Sequence, residues 1–378
     1  MDLTCVEDLL LTLLKYPLLG VQIIGYVPLT MTLQSPNQIT TPSKLKSTPT
    51  KSLQFRFFTI PVLSQLFLIT SFFLVLFLFV SVEQQRDEFN QYSKLSTDMI
   101  IISVMSMISL INAMGNRLYG FVTVRGTLTF WHVHCHQLEK ISKIWTQQEV
   151  MDLYGKQVRV QFRWTVLFLL LPVCTMLSVD LIIAEVFGVS TNASVLKMLQ
   201  DHDIGLMWGM IFWIYLTYSH TLLSNWVTGF VKIYNIVLAC VIKEVETMTM
   251  KSDDFVTLNK IDEITQAYDV ILGLVDYFNA TLSVRLVGEV WINILWILGC
   301  IYMSLASYKM GEFGTMLTNL LASGMAMKTL YTYGNEGENL EQNRITLVKR
   351  LCNVKGNNLG HVGLEKVNQE IKKLLLHF

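Results

Sequence analysis

The sequence predicts an all-α membrane protein, a polytopic helix bundle of six spans with its N-terminus in the cytoplasm. Three observations predict it. Six long stretches contain no Asp, Glu, Lys or Arg: Phe57–Val82, Met99–Asn116, Thr165–Val179, Ile204–Val231, Val290–Tyr308 and Phe313–Met327. Hydrophobic residues are 52% of the 378 and charged residues only 15%, against roughly 25% charged in a soluble domain. Basic residues alternate between dense and sparse from one connecting loop to the next. Crossing a bilayer takes roughly 20 apolar residues, with about 17–25 as the range. Four of the stretches reach that length alone. Thr165–Val179 and Phe313–Met327 reach it by absorbing one polar residue each, Asp180 and Lys328.

Residues 1–56 form a cytoplasmic N-terminal segment. Its start, Met1-Asp2-Leu3 with Glu7 and Asp8, lacks the basic flank of a secretory signal peptide, so the first span is expected to serve as the insertion signal. Residues 9–31 are apolar but interrupted by Lys15, Pro17, Gly20, Gly25 and Pro28. They predict a short helix or re-entrant piece against the inner membrane surface; an additional span is the alternative and would place Met1 outside. Residues 34–54, rich in Ser, Thr, Pro and Lys, read as a flexible linker.

Residues 57–335 carry the six spans with long intracellular helical extensions. In the loop 117–164, Trp131, Leu138, Ile141, Ile144 and Trp145 fall near one helical face. Ile204–Cys240 stays apolar for longer than a bilayer needs, so the fourth helix is expected to run on into the cytoplasm, with Lys232 snorkelling at the exit. In 259–284, Ile261, Ile264, Tyr268, Ile271, Leu272 and Val275 make a further apolar stripe. These helices are expected to project inward as one bundle. Residues 336–378 form a cytoplasmic tail.

Orientation follows from the rule that short cytoplasmic loops are rich in Lys and Arg. Segments 1–56, 117–164, 232–289 and 329–378 hold 24 of these residues, and 83–98, 188–203 and 309–312 hold four. Both termini are therefore assigned to the cytoplasm. Asn192-Ala193-Ser194, a glycosylation acceptor triplet, falls outside, marking Asn192, although a second triplet at Asn279 falls inside. All six cysteines lie in spans or on the inner side, so no disulfide framework is expected. A formal net charge of zero implies no nucleic-acid partner.

Polar residues at bilayer depth usually face the bundle interior or water. Arg285, Glu289, Asn293, Trp296 and Cys300 recur every three or four residues and share a helix face. Arg285 and Glu289 can pair at i,i+4, as a structural or gating contact. Ser103, Ser106, Ser109 and Asn112 make a stripe in the second span, and Thr315, Asn319 and Ser323 one in the sixth. Such stripes most often hold helices together. In the fourth span Trp213, His220 and Ser224 align, and Asp180 and Glu185 lie toward the outer end of the third. His132 and His136 invite a metal reading, but no second Cys/His cluster lies nearby. They read as a polar helix face, with no metal or cofactor. Phosphate-loop, nucleophile-elbow and zinc-protease motifs are absent, so the chain is not expected to be an enzyme.

Several stretches resemble the arthropod gustatory receptor family, including its sugar-receptor branch. YPLLGVQIIGYVPLT at 16–30 is similar to the opening these receptors show before their first span. HTLLSNWVTGFVKIYNIVLACVIKEVETM at 220–248 resembles their fourth helix running into the cytoplasm. AYDVILGLVDYFNATLSVRLVGEVWINILWILGCIYMSL at 267–305 is similar to their inner helix and fifth span, and GLEKVNQEIKKLLLHF at 363–378 to the segment before their last span. The resemblance implies a subunit of a tetrameric, ligand-gated cation channel in the plasma membrane. In it the inner bundle assembles homo- or hetero-tetramers, and small tastants, sugars or others, bind between spans from the outer side. By depth and face, the pocket here would draw on Asp180, Trp213, Tyr215, His220, Trp296 and Asn319. The family's pore-lining seventh span would begin where this sequence stops, at Phe378, so a truncated and non-conducting form is expected as given.

An odorant receptor of the related insect family shares the inverted orientation and is the alternative. A G-protein-coupled receptor would need an outside N-terminus and an Asn-Pro-x-x-Tyr motif, and a secondary transporter two related halves; neither pattern is present.

Overall fold

A computed structural model describes residues 3–23, 26–34, 50–56, most of 59–71, 97–142, 204–249, 254–310 and 313–354, with single positions elsewhere. The described residues are mostly helical. In chain order the elements are α1 (Leu3–Leu13), α2 (Lys15–Ile23), β1 (Thr30–Gln34), β2 (Thr50–Gln54), α3 (Thr97–Val122), α4 (Val124–Lys140), α5 (Ile204–Thr249), α6 (Asp254–Met310) and α7 (Phe313–Val354). The first predicted span is represented by helical residues between Pro61 and Ser71. Of the third predicted span only Val166 and Leu167 are described, and Asp180 and Asn192 lie outside the described residues.

The N-terminal segment departs from the expected linker. Pro17 has no N–H to give the carbonyl of Leu13, and the helix breaks between α1 and α2 at Leu14. Both helices pack one face into the core, where Leu9, Leu10, Leu11, Leu14 and Leu18 are buried, and leave Thr12, Lys15, Tyr16 and Leu19 exposed. Part of the expected linker is a two-stranded antiparallel ribbon, with Thr30 opposite Gln54 and Gln34 opposite Thr50. Alternation in Thr30-Met31-Thr32-Leu33 suits a strand. The ribbon is tied to α1, because the backbone N–H of Leu53 donates to Glu7 Oε1 (3.2 Å). Trp131 Nε1 donates to the same oxygen (3.2 Å).

The long helices follow the expected extension and exceed it. α5 has 46 residues, α6 57 and α7 42, or about 69, 86 and 63 Å at 1.5 Å per residue. Each is far longer than a hydrocarbon core of about 30 Å. α6 joins the inner stripe at 259–284 and the fifth predicted span into one helix, and α7 runs unbroken across 335–336. Two described stretches are long and apolar enough to cross a membrane, Thr221–Thr247 and Lys260–Lys309. Thr221–Thr247 is buried along nearly all its length, which marks it as the core helix of the bundle.

That core gathers α1, α2, α4, the inner halves of α5 and α6, and Leu347 and Leu351 of α7. Aromatic side chains fill its centre. Phe230 of α5 meets Trp226 edge-on (centroids 4.9 Å) and Phe130 of α4 (5.1 Å), and Tyr234 meets Phe278 of α6 (6.0 Å). Each such side chain contributes about 1.5–3 kcal/mol by burial, and well-oriented ring pairs about 0.5–1.5 more.

Candidate functional site

The expected face of α6 is present. Arg285, Glu289, Asn293, Trp296 and Cys300 are all buried, and the stripe continues through Ser304 and Ser307. The facing element is α3, where Ser109 and Asn116 are buried and Asn112 is half-buried. Gly120 of α3 lets the segment after α2 come close: a Cβ there would collide with the backbone carbonyl of Tyr26 and would lie 3.3 Å from Arg285 Nη2.

Asn116 organises the contact. Its Nδ2 donates to Glu289 Oε1 (2.9 Å), and its backbone carbonyl accepts from Arg285 Nη2 (3.2 Å). Asn112 Nδ2 also donates to Glu289 Oε1 (3.2 Å). The guanidinium of Arg285 sits over the ring of Tyr119, 4.4 Å from its centroid, a cation–π contact. Arg285 and Glu289, expected to pair at i,i+4, feel each other's charge but take their hydrogen bonds from α3. Each turns to α3, and Asn116 stands between them. Sequence reading ended the α3 stripe at Asn112 and placed Arg117 in a loop. The recurrence Asn112, Asn116, Gly120 at intervals of four was the available signal.

The residues proposed for a ligand pocket are not brought together among the described residues. Trp296 clusters with Ile292, Cys300, Ala322, Met325 and Ala326 between α6 and α7. Asn319 is half-buried on α7, one turn from Ser323, which is buried. Trp213, Tyr215 and His220 lie on the helical backbone of α5, but their side chains fall outside the described residues, as does Asp180. The described cavity is elsewhere: an open groove of about 600 Å³ between α4 and α6, lined by Gln137, Asp262, Gln266, Asp269 and Tyr277 among others.

The histidine cluster divides. His132 and His136 are exposed, as a polar face requires, but His134 is fully buried in the aromatic core. Its Nδ1 faces the carbonyl of Phe130 (2.7 Å) and its Nε2 the hydroxyl of Tyr234. A carbonyl can only accept, so Nδ1 carries the proton and Nε2 accepts from Tyr234. Burial pushes the imidazole down to about 4. Among the described residues no three His, Cys, Asp or Glu side chains are arranged to hold a metal.

A search of protein-family models and one of curated proteins each found no match to this chain.

Proposed function

We propose that the chain is a chemosensory receptor of the gustatory type, a subunit of a ligand-gated cation channel, crossing the plasma membrane six times with both termini in the cytoplasm. One observation carries the membrane part of this reading: α6 reverses its polarity along its length. Up to Leu282 it buries apolar residues and exposes Asp262, Glu263, Gln266, Asp269 and Asp276. Beyond it, Arg285, Glu289 and Asn293 are buried, and Val284 (80% exposed), Trp291 (62%), Leu298 (62%) and Tyr308 (61%) face outward. The apolar belt from Val284 to Tyr308 is about 36 Å long, matching a hydrocarbon core of about 30 Å with its interfaces. α3 and α7 support it, exposing Ile111, Val122, Leu320, Met327 and Tyr331 over the corresponding parts of their lengths. An outward face this apolar is suited to lipid.

The receptor part rests on the long helices continuing from that belt into a packed inner bundle, and on the local resemblances. In this reading the inner bundle assembles tetramers, and small tastants enter from the outer side. Cells expressing the complete gene product, alone and with candidate partner subunits, are expected to admit calcium when challenged with a tastant panel. Silence to every sugar would remove the sugar-receptor version. Protease digestion of residues 117–164 from the lumenal face of microsomes would overturn the orientation and the assignment with it.

A further inference from the structure

We propose that Glu289 is a proton-binding site: a neutral carboxylic acid, protonated on Oε2, which donates to Asn293 Oδ1 one helical turn away. The inference does not depend on the receptor reading. It comes from the one-sidedness of the carboxyl group's surroundings. Oε1 accepts two amide donors, from Asn112 and Asn116. Oε2 is buried and accepts none among the described residues. An ionised carboxylate has two equivalent acceptor oxygens, whereas a protonated one has a carbonyl that accepts and a hydroxyl that donates. The arrangement matches the second.

The acceptor this proposal assigns is Asn293, one helical turn on. Asn293 is fully buried, its Nδ2 donates to the backbone carbonyl of Glu289 (2.7 Å), and its Oδ1 is without a donor among the described residues. At i,i+4 the two side chains are neighbours on one face. A proton shared between them would satisfy two buried oxygens, each costly to leave unpaired in a low-dielectric interior.

The charged and titratable groups around it are compatible. On α6, Arg285 donates to the Asn116 carbonyl and lies over the Tyr119 ring, and its charge also acts on Glu289 one turn away. α3 supplies Tyr119 and, one residue past Asn116, Arg117, whose Nη1 donates to the carbonyl of Ala113 (2.9 Å) and whose guanidinium lies over Tyr26. α7 supplies the phenol of Tyr333, which is close enough to Glu289 to sense its charge. On α5, Lys232 is paired with Glu336 (3.5 Å). When the proton leaves, the carboxylate is drawn toward Arg285 and away from its shared contact with Asn293, so the α3–α6 junction responds to pH.

The test uses the full chain in lipid nanodiscs. Glu289→Gln reproduces the protonated acid, with a carbonyl for the two asparagine amides and an N–H for Asn293. An infrared difference spectrum of wild type at neutral pH should contain a protonated-carboxyl stretch that Glu289→Gln lacks. The melting temperature of wild type should fall by about 3 °C or more between about pH 6 and pH 9, where buried carboxyls titrate. Glu289→Gln should melt at or above wild type at pH 6, because the unfolded wild-type carboxyl is already ionised there, and should lose less than about 1 °C over the same range. The proposal is overturned if the band is missing from wild type. It is equally overturned if Glu289→Gln melts as low as Glu289→Ala, because that would mean the negative charge is required.

Discussion

The two halves of α6 are built from opposite rules. Its inner half hides Ile261, Ile264, Ile271, Leu274 and Phe278 and shows carboxylates; its outer half hides Arg285, Glu289 and Asn293 and shows Trp291, Leu298 and Leu305. The backbone is one continuous helix through both. Helical periodicity alone therefore sets which residues share a face, while the surroundings set which face turns inward. In the membrane reading proposed above, water around the inner half makes apolar burial favourable. Lipid around the outer half would remove that drive and leave packing with internal hydrogen bonding in its place.

The strongest way to break this comparison is to delete a large side chain from each half. Phe230→Ala, in the aromatic core of the inner bundle, should cost about 3–5 kcal/mol in thermal or denaturant unfolding. Leu298→Ala, on the exposed belt, should change stability by less than about 0.5 kcal/mol, since lipid tails replace the lost contacts. Equal losses at both positions would show that the outer face is covered by protein.

Acid should weaken the inner half through His134. Its folded pKa, about 4, lies below the ordinary value of 6.5, so the unfolded chain binds more protons between the two. Stability is full above about pH 6.5 and is lost as pH falls toward 4, by about 3 kcal/mol in all. An acid melting series should show this slope, and His134→Phe should flatten it.

Adding a charge sharpens the contrast in the other direction. Leu298→Lys should cost about 2.5–3.5 kcal/mol in a translocon insertion assay if the belt lies in lipid. In water an exposed lysine there would fall within about 0.5 kcal/mol of neutral. The smallest effect belongs to the inner surface. Lys260 and Glu244 form an ion pair with both side chains about one-third exposed, and Lys260→Met should alter stability by under about 1 kcal/mol.

Much of the helical architecture was legible in the sequence, because runs such as Ile204–Val231 and stripes such as Ile261–Val275 encode length and face locally. The β1–β2 ribbon was not. Thr50 and Gln34 pair across a stretch whose Ser, Thr, Pro and Lys content reads as linker, and pairing between distant strands leaves little local trace. The burial of Arg285, Glu289 and Asn293 was foreseeable from their spacing, but their partners were not. Spacing on α6 names a face, whereas Asn112 and Asn116 come from a helix some 170 residues earlier. His134 was hidden by its neighbours, since His132 and His136 made the local composition look uniformly polar.

The unbroken course of α6 makes it a rod with no built-in hinge: no proline interrupts Asp254–Met310. Over about 86 Å, a pivot of only two degrees at one tip sweeps the other through about 3 Å. Such leverage turns a sub-ångström adjustment beside Trp296 into a displacement large enough to reshape the groove near Asp262, with no local unfolding along the way.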